Sequence, residues 1–325
     1  MTDQKVRWGI LGPGGIAESF AADLTHVEGA ELAAVGSRTL ENATSFAKRF
    51  GFRRAHGSYA DLAADPEVDV VYVATPHALH YDAALQCIEA GKAVLVEKPL
   101  TLDLASAARL IAAARDRGVF LMEAMWMRLN PAIRKIVELV EEGAIGWVSS
   151  VNADFGLQGP FPATHRLRAR ELGGGALLDL GVYPIHLAHL VLGAPASVQA
   201  WAHLTPERVD ETTGILLGWE AGAVAALTCS INGESRNAAS ITGTDGRIDL
   251  PQGFWYPRSF VLNRPGREPE TFEFPFEGIG YQFEAAEVQA RVRAGELESP
   301  LMSHATTLEV TTLLDAIRDQ IGVVY

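Results

Sequence analysis

Three stretches of this sequence hold residue types that do chemistry in combination. The first is Gly12-Pro13-Gly14-Gly15-Ile16-Ala17, a G-x-G-x-x-A pattern between an apolar run and a stretch of helical spacing. In that setting the first glycine permits a tight turn and the second lets backbone approach a pyrophosphate. The small Ala17 lets helix and strand pack closely. Amides at the start of the helix then face phosphate. A purely structural glycine turn is the alternative. The second stretch is Glu97-Lys98-Pro99, at the carboxyl end of another apolar run. Open α/β sheets place ligands there, and the proline can fix a bend that turns Lys98 toward a nicotinamide; an isolated strand-end lysine is otherwise a surface cation. The third is GGGALLDLGVY, residues 173–183. If its later part is helical, Asp179 and Tyr183 share a face, and His186 follows a turn later. An acid, a phenol and an imidazole on one face can hold and move a proton. A buried Tyr–Asp hydrogen bond of structural purpose is the alternative. Pro184 lacks a backbone donor, so a bend or irregular start is expected.

The residues after the second apolar run choose between dinucleotides. That run ends at Gly36-Ser37-Arg38-Thr39, and no carboxylate occurs between Leu32 and Leu40. A site for NAD usually has Asp or Glu there, whereas an arginine suits a 2′-phosphate. Two hydroxyls and a guanidinium point to NADP(H) rather than NAD, unless Arg38 is a solvated loop residue.

These groups need elements to position them. Strand-like runs at 6–11, 31–36, 70–74, 93–96 and 119–122 alternate with helical spacing at 16–27, 41–50, 80–90 and 104–117. Alternation of that kind means parallel strands with right-handed crossovers, a doubly wound sheet. After Glu123 the pattern changes. An amphipathic helix at 131–142 precedes period-2 runs at 147–155, 197–203, 212–219, 223–231, 238–242 and 259–263, separated in places by short turns. That pattern reads as a mostly antiparallel open sheet. One Gly-rich helical segment at 173–192 interrupts it, and helices at 281–294 and 305–321 close the chain. The expected organisation is α/β: an NADP-binding Rossmann domain over 1–124, then an α+β domain over 125–325 for substrate and self-association.

Composition narrows the function classes. The 27 basic and 40 acidic side chains give a net charge of −13, which argues against non-specific nucleic-acid binding. An anionic cofactor therefore needs a local positive site. No uninterrupted run of 18 apolar residues exists, so no membrane span is expected, and the first residues lack a separate signal-like apolar region. Cys87 and Cys229 lie far apart in apolar segments and cannot form a disulfide framework, which fits a reducing, cytoplasmic setting. His77 and His80 are three apart, as are His186 and His189, but neither H-E-x-x-H nor a cysteine cluster accompanies them, and no metal is expected. His80 is expected at the start of a helix beside the cofactor, and His189 in packing. Trp126 and Arg128 follow the domain switch, Phe155 ends a strand, and Trp255 sits in a Gly-Phe-Trp-Tyr-Pro loop. Such aromatics and an arginine suit a sugar ring or cyclic diol, with simple packing the alternative. His165 and Arg166 precede the glycine run, as cleft-lining or solvated loop residues.

The G-x-G-x-x-A loop, TPHALHYDAALQCIEAGKAVLVEKPL and GGGALLDLGVY together resemble the glucose–fructose oxidoreductase/inositol dehydrogenase/rhizopine-catabolism family of oxidoreductases. The resemblance covers nearly the whole chain. Within the family, MEAMWMR at 122–128 and the stretch at 298–323 look most like the dimeric dihydrodiol dehydrogenase branch, also described as NADP-dependent D-xylose dehydrogenases. It implies a two-domain subunit, non-covalent NAD(P), no metal, and homodimers or larger homo-oligomers formed through the second sheet. Carried over residue by residue, Lys98 matches the E-K-P lysine and Asp179 the motif aspartate, with Tyr183 at the position of tyrosine or histidine in different branches. Thr75, Pro76, His77, His80 and Glu97 fall in the cofactor segments. His77 and His186 depart from the commoner residues at their sites, and His186 joins Trp126, Arg128, Phe155 and Trp255 as a substrate-contact candidate. The implied chemistry is hydride transfer between NADP(H) and the secondary alcohol or carbonyl of a small sugar or diol. An aldose or anhydro-ketose reductase, or a catalytically silent dinucleotide-responsive regulator, is the alternative. Tyr183 is expected to move the proton, with His186 its rival. A free phenol titrates near ~10, so Tyr183 needs a cation such as Lys98 to lower it. Asp179 is expected to orient the substrate or Lys98.

Overall fold

In a computed structural model, which describes residues 5–325, the apolar runs of the first third become the strands of a parallel sheet. Its elements are β1 (Val6–Leu11), α1 (Gly15–Asp23), β2 (Ala30–Gly36), α2 (Leu40–Phe50), β3 (Arg54–His56), α3 (Tyr59–Ala63), β4 (Val70–Val73), α4 (His80–Glu89), β5 (Ala93–Glu97), α5 (Leu104–Arg117) and β6 (Leu121–Ala124). The strand order is β3-β2-β1-β4-β5-β6, with every pairing parallel. The order reverses beside β1, where ligands bind in such sheets. Leu11, Val71, Val73, Val94 and Val96 meet Ile88 and Leu110 in the core between sheet and helices. Short polar side chains start several helices: Ser58 accepts from Asp61 N and Asp103 from Ser106 N. The sequence pattern did not reveal β3 or α3. Arg54-Ala55-His56 has no apolar alternation because β3 is an edge strand, paired only with β2.

The second sheet is built from β7 (Val148–Gly156), β8 (Ser197–Leu204), β9 (Asp210–Gly218), β10 (Val224–Ser230), β11 (Ala239–Gly243), β12 (Arg247–Leu250), β13 (Ser259–Asn263) and β14 (Glu270–Glu273). Before it comes α6 (Pro131–Glu141), capped by Asn130, and between β7 and β8 lies α7 (Val182–Leu192). The order is β14-β13-β12-β11-β7-β10-β9-β8, antiparallel except where β7 and β10 run parallel. One face is apolar, with Val151, Ala225 and Leu217 in register, and α7 packs on that side. β12 and β14 were not legible: Glu270-Thr271-Phe272-Glu273 is another edge, nearly all exposed. The helical stretch Arg170–Leu192 is long and apolar enough to cross a bilayer, but its most apolar part is 83% buried inside this unit.

Two helices end the chain, α8 (Tyr281–Ala294) and α9 (His304–Ile321). Two compact units emerge: one runs to Trp126 and takes in Glu277–Leu308, and the other comprises Met127–Phe276 and Glu309–Tyr325. Residues 277–308, expected with the second domain, therefore pack with the first. The reason is a set of buried polar ties. Asp23 accepts from the amides of Ile279, Gly280 and Tyr281 at the start of α8 (2.8–3.1 Å). His304 Nε2 lies 2.9 Å from Leu121 O, and Thr307 donates to Glu123 at 2.9 Å.

Candidate functional site

The carboxyl edge of the parallel sheet gathers the residues expected to hold a dinucleotide. Gly12 turns the chain with φ +91°, and a Cβ there would press on Ala74 O and Thr75 N at 3.0–3.1 Å, so the turn lies directly on the end of β4. Gly14 and Gly15 are exposed, and a Cβ on either would meet only open space. The first turn of α1 has no side-chain cap, which leaves its N-terminal polarity for an anion. Ala17 is fully buried, as the close packing of α1 on the sheet requires. Thr75 Oγ1 is buried without a hydrogen-bond partner among the described residues. An open glycine cradle, an uncapped helix start and an orphaned hydroxyl fit a pyrophosphate-containing cofactor. Pro76 precedes the turn carrying His77. Beyond β2, Ser37 is buried and Arg38 exposed, while Thr39 caps α2 by accepting from Asn42 N at 3.4 Å. The Thr39 oxygen, expected to face the cofactor, thus accepts a bond within its own helix.

One histidine ties this edge together. His80 Nδ1 lies 2.8 Å from Pro99 O and Nε2 2.8 Å from Thr75 O, and the ring is wholly buried. Both ring nitrogens are committed to backbone. His80, expected as a cofactor contact, is a clamp between the ends of β4 and β5. Burial and then His77 push its pKa down to about 3, although the two carbonyls pull the other way. The burial cost dominates, so the ring is neutral and donates to one carbonyl. The Lys98–Pro99 peptide is cis. Lys98 is buried, and its amide donates to the carboxylate of Glu97, which also accepts a short bond from Tyr72. Trp126 belongs to this first unit, where it stacks on Tyr281 at 4.3 Å, whereas Arg128, Phe155, His186 and Trp255 belong to the second.

The second unit carries the remaining candidates. Residues 177–181 form a π-helical turn, not the regular helix the spacing suggested, before α7 begins. Gly181 makes this possible, because a Cβ there would lie 2.8 Å from Cys229 Sγ on β10. π-Turns of this kind frequently mark functional sites. Asp179 sits in the turn, buried, and takes a two-pronged ion pair from Arg166 at 3.1 Å and 3.1 Å. Tyr183 follows in the first turn of α7, its ring 5.6 Å from Phe155 and 6.1 Å from Trp255. Phe155 and Trp255 stack at 3.7 Å. Asn237, in the left-handed region (φ 56°), fixes this wall: its side chain accepts from Gly156 N and its carbonyl from Gly253 N. His186 is completely buried, with Nδ1 3.5 Å from an Arg128 nitrogen and Nε2 without a hydrogen-bond partner among the described residues. Burial, then the Arg128 and His189 charges, hold its pKa well below the usual histidine range. It is neutral and a weak base. Among the described residues no cluster of three metal-ligating side chains occurs.

The family model for the oxidoreductase family with an NAD-binding Rossmann fold matches residues 6–125, and that for the GFO/IDH/MocA C-terminal domain matches residues 133–249. The chain belongs to the Gfo/Idh/MocA oxidoreductase family. Members are NAD(P)-dependent dehydrogenases and reductases acting on CH–OH groups. Gfo/Idh/MocA relatives align end to end. A trans-1,2-dihydrobenzene-1,2-diol dehydrogenase from Danio rerio is 39% identical, with 98% of each chain covered. One from Xenopus laevis is 38% identical over 98% of this chain and 99% of its own. Among solved structures, a 3-ketoreductase from Actinomadura kijaniata, in complex with NADP and TDP-benzene, is 32% identical with a TM-score of 0.87 over 98% of each chain. An aldose-aldose oxidoreductase from Caulobacter crescentus, complexed with glycerol, is 26% identical with a TM-score of 0.88, over 98% of this chain and 97% of its own.

Proposed function

We propose that this enzyme reversibly oxidises a secondary alcohol of a small sugar or cyclic diol, with NADP as its preferred cofactor. The observation that carries the reading is the grouping in the second unit of Tyr183, within an aromatic wall, and Asp179, held by Arg166. A phenol can move a proton, a fixed carboxylate can orient a hydroxyl, and flat apolar faces suit a ring. Two similar proteins, a dihydrobenzenediol dehydrogenase and a 3-ketoreductase, have names that fit such substrates.

Bound nicotinamide would accept or give the hydride. Tyr183, as the phenolate, takes the hydroxyl proton at Oη as the alcohol becomes a carbonyl, and the resulting phenol returns it in the reverse direction. Asp179 orients the neighbouring hydroxyl, while the stacked Phe155–Trp255 pair walls one side of the ring and shields it from water. Gly12, Pro13, Gly14, Gly15 and Ile16 would hold the pyrophosphate, Lys98 would supply a cation at the cofactor, and Ser37 and Arg38 would receive the 2′-phosphate. The exposed apolar side chains Trp201, Leu216 and Val224, on the outer face of the second sheet, support self-association there. Two free, buried cysteines support a reducing cytoplasm as its setting.

The test is a turnover panel of D-xylose, D-glucose and a trans-dihydrodiol, each with NADP and with NAD. Turnover of at least one with a clear NADP preference is expected. Arg38→Ala should weaken NADP about tenfold or more and leave NAD unchanged, as loss of a charge-assisted contact would. Equal binding of both cofactors by the wild type would overturn the 2′-phosphate assignment, and no turnover at all would favour a regulator.

A further inference from the structure

Three successive glycines are the costliest residues to hold in one conformation, because each has the widest freedom to lose. The run at 173–175 nevertheless leads directly into the π-turn that carries Asp179. Its front is held by backbone, Gly174 N on Ala169 O (3.1 Å) and Gly175 N on Leu167 O (2.8 Å). Its rear is held by two side chains from distant sequence. Gly174 O accepts a short hydrogen bond from the phenol of Tyr325. At Gly175, φ is +117°, and a Cβ would collide with Asp210 Oδ1 and sit 3.2 Å from Tyr325 Oη. Asp210 Oδ2 accepts from Leu177 N and from Thr213 Oγ1, both at 2.7 Å, while buried Oδ1 has no hydrogen-bond partner among the described residues. Tyr325 is fastened in turn: Arg170 Nε donates to Val324 O at 2.6 Å, and the Arg318 guanidinium lies 5.4 Å from the phenol ring centre.

We propose that Tyr325 and Asp210 are positioning residues, a rear brace that fixes the glycine run so that Asp179 and Tyr183 are presented in register for catalysis. The inference rests on the proton-transfer role proposed for Tyr183. Neither brace residue needs to meet the substrate. Asp210 adds a pH dependence. The groups facing it are the Thr213 hydroxyl on its own strand, the Leu177 amide, the Tyr325 phenol, with Arg318 beyond it, and the Cys229 thiol on β10. Burial outweighs the hydrogen bonds and pushes the Asp210 pKa up to about 6. Ionised Asp210 is the stronger acceptor for Leu177 N, so the brace weakens as pH falls through that value.

The experiment uses the full chain with Tyr325→Phe and, separately, Asp210→Asn. Amide hydrogen exchange over residues 173–178 should rise about tenfold in each. In Tyr325→Phe, kcat should fall about five- to tenfold while KM and NADP affinity stay unchanged, the pattern of lost alignment. Asp210→Asn should flatten the acid limb of kcat near pH ~6. Unchanged exchange in Tyr325→Phe overturns the brace whatever the kinetics. Raised exchange with unaltered kcat overturns its bearing on catalysis. Tyr183→Phe is measured alongside: if it keeps the wild-type rate, the proton-transfer assignment falls, while the exchange data still decide the brace. Should Asp210→Asn fail to fold, Tyr325→Phe alone decides.

Discussion

At Tyr183 the chemistry reduces to one oxygen and one proton. Tyr183→Phe keeps the ring against Phe155 and Trp255 and removes only Oη, so packing should survive. Single-turnover hydride transfer is expected to fall by about 10²–10⁴, with NADP affinity unchanged. A rate within threefold of wild type would move the proton elsewhere, and buried, neutral His186 is a poor heir. His80 makes a different kind of prediction. His80→Phe fills similar space but leaves the carbonyl that accepts from the ring, Thr75 O or Pro99 O, buried without its donor. A stability loss of about 1–3 kcal/mol by chemical denaturation is expected, together with weaker NADP binding. Lys98, Asp179 and Tyr183 could be singled out as candidates because they stand at motif positions. Asp210 and Tyr325 were not, since what singles them out is contact with a loop far away in sequence.

At the scale of elements, strands were legible where burial writes an apolar run or a clear alternation; the edge strands β6 and β8 were read for that reason, whereas the interior β12, only four residues long, was not. The valines of β4 and β5 read as continuous apolar runs, whereas β3 and β14 each have one neighbour and polar side chains. The π-turn left no periodic signal, because it follows from one close approach, Gly181 on Cys229. That approach is testable as a pair. Gly181→Ala should destabilise by about 1–3 kcal/mol through overpacking. Cys229→Ala in the same chain should recover part of the loss, giving a coupling energy of opposite sign in a double-mutant cycle. Independent, additive effects would mean the turn is set by something else, such as the missing donor of Pro184.

For the molecule as a whole, buried histidines set the response to acid. His80 is held down to about 3, and burial also lowers His186, His189 and His304. Their unfolded counterparts titrate near ~6.5. The unfolded chain therefore binds more protons between those values, and the stability these groups contribute, complete above pH ~6.5, is lost as pH falls toward about 3. Asp210 and Glu284, raised by burial, act in the opposite sense and offset part of the loss. Thermal unfolding should thus show Tm falling from pH ~7 to ~5, with a smaller slope in His304→Gln. A flat profile would show that these rings are protonated in the folded chain. On the outer sheet face, Trp201→Glu should shift any oligomer toward monomer in sedimentation experiments; an unshifted profile would place self-association elsewhere.

The carboxylate of Asp23 receives amides from a segment 256 to 258 residues later, which bears on the order in which the chain is made. Synthesis proceeds from the N-terminus, so β1 through β6 emerge long before α8 exists. Until residues 277–308 leave the ribosome, Asp23 has none of those three amides and Trp126 has no Tyr281 to cover it. The cofactor-binding unit is completed only after the strands of the second sheet have been made, and a nascent chain arrested before residue 277 should remain open to protease even with NADP present.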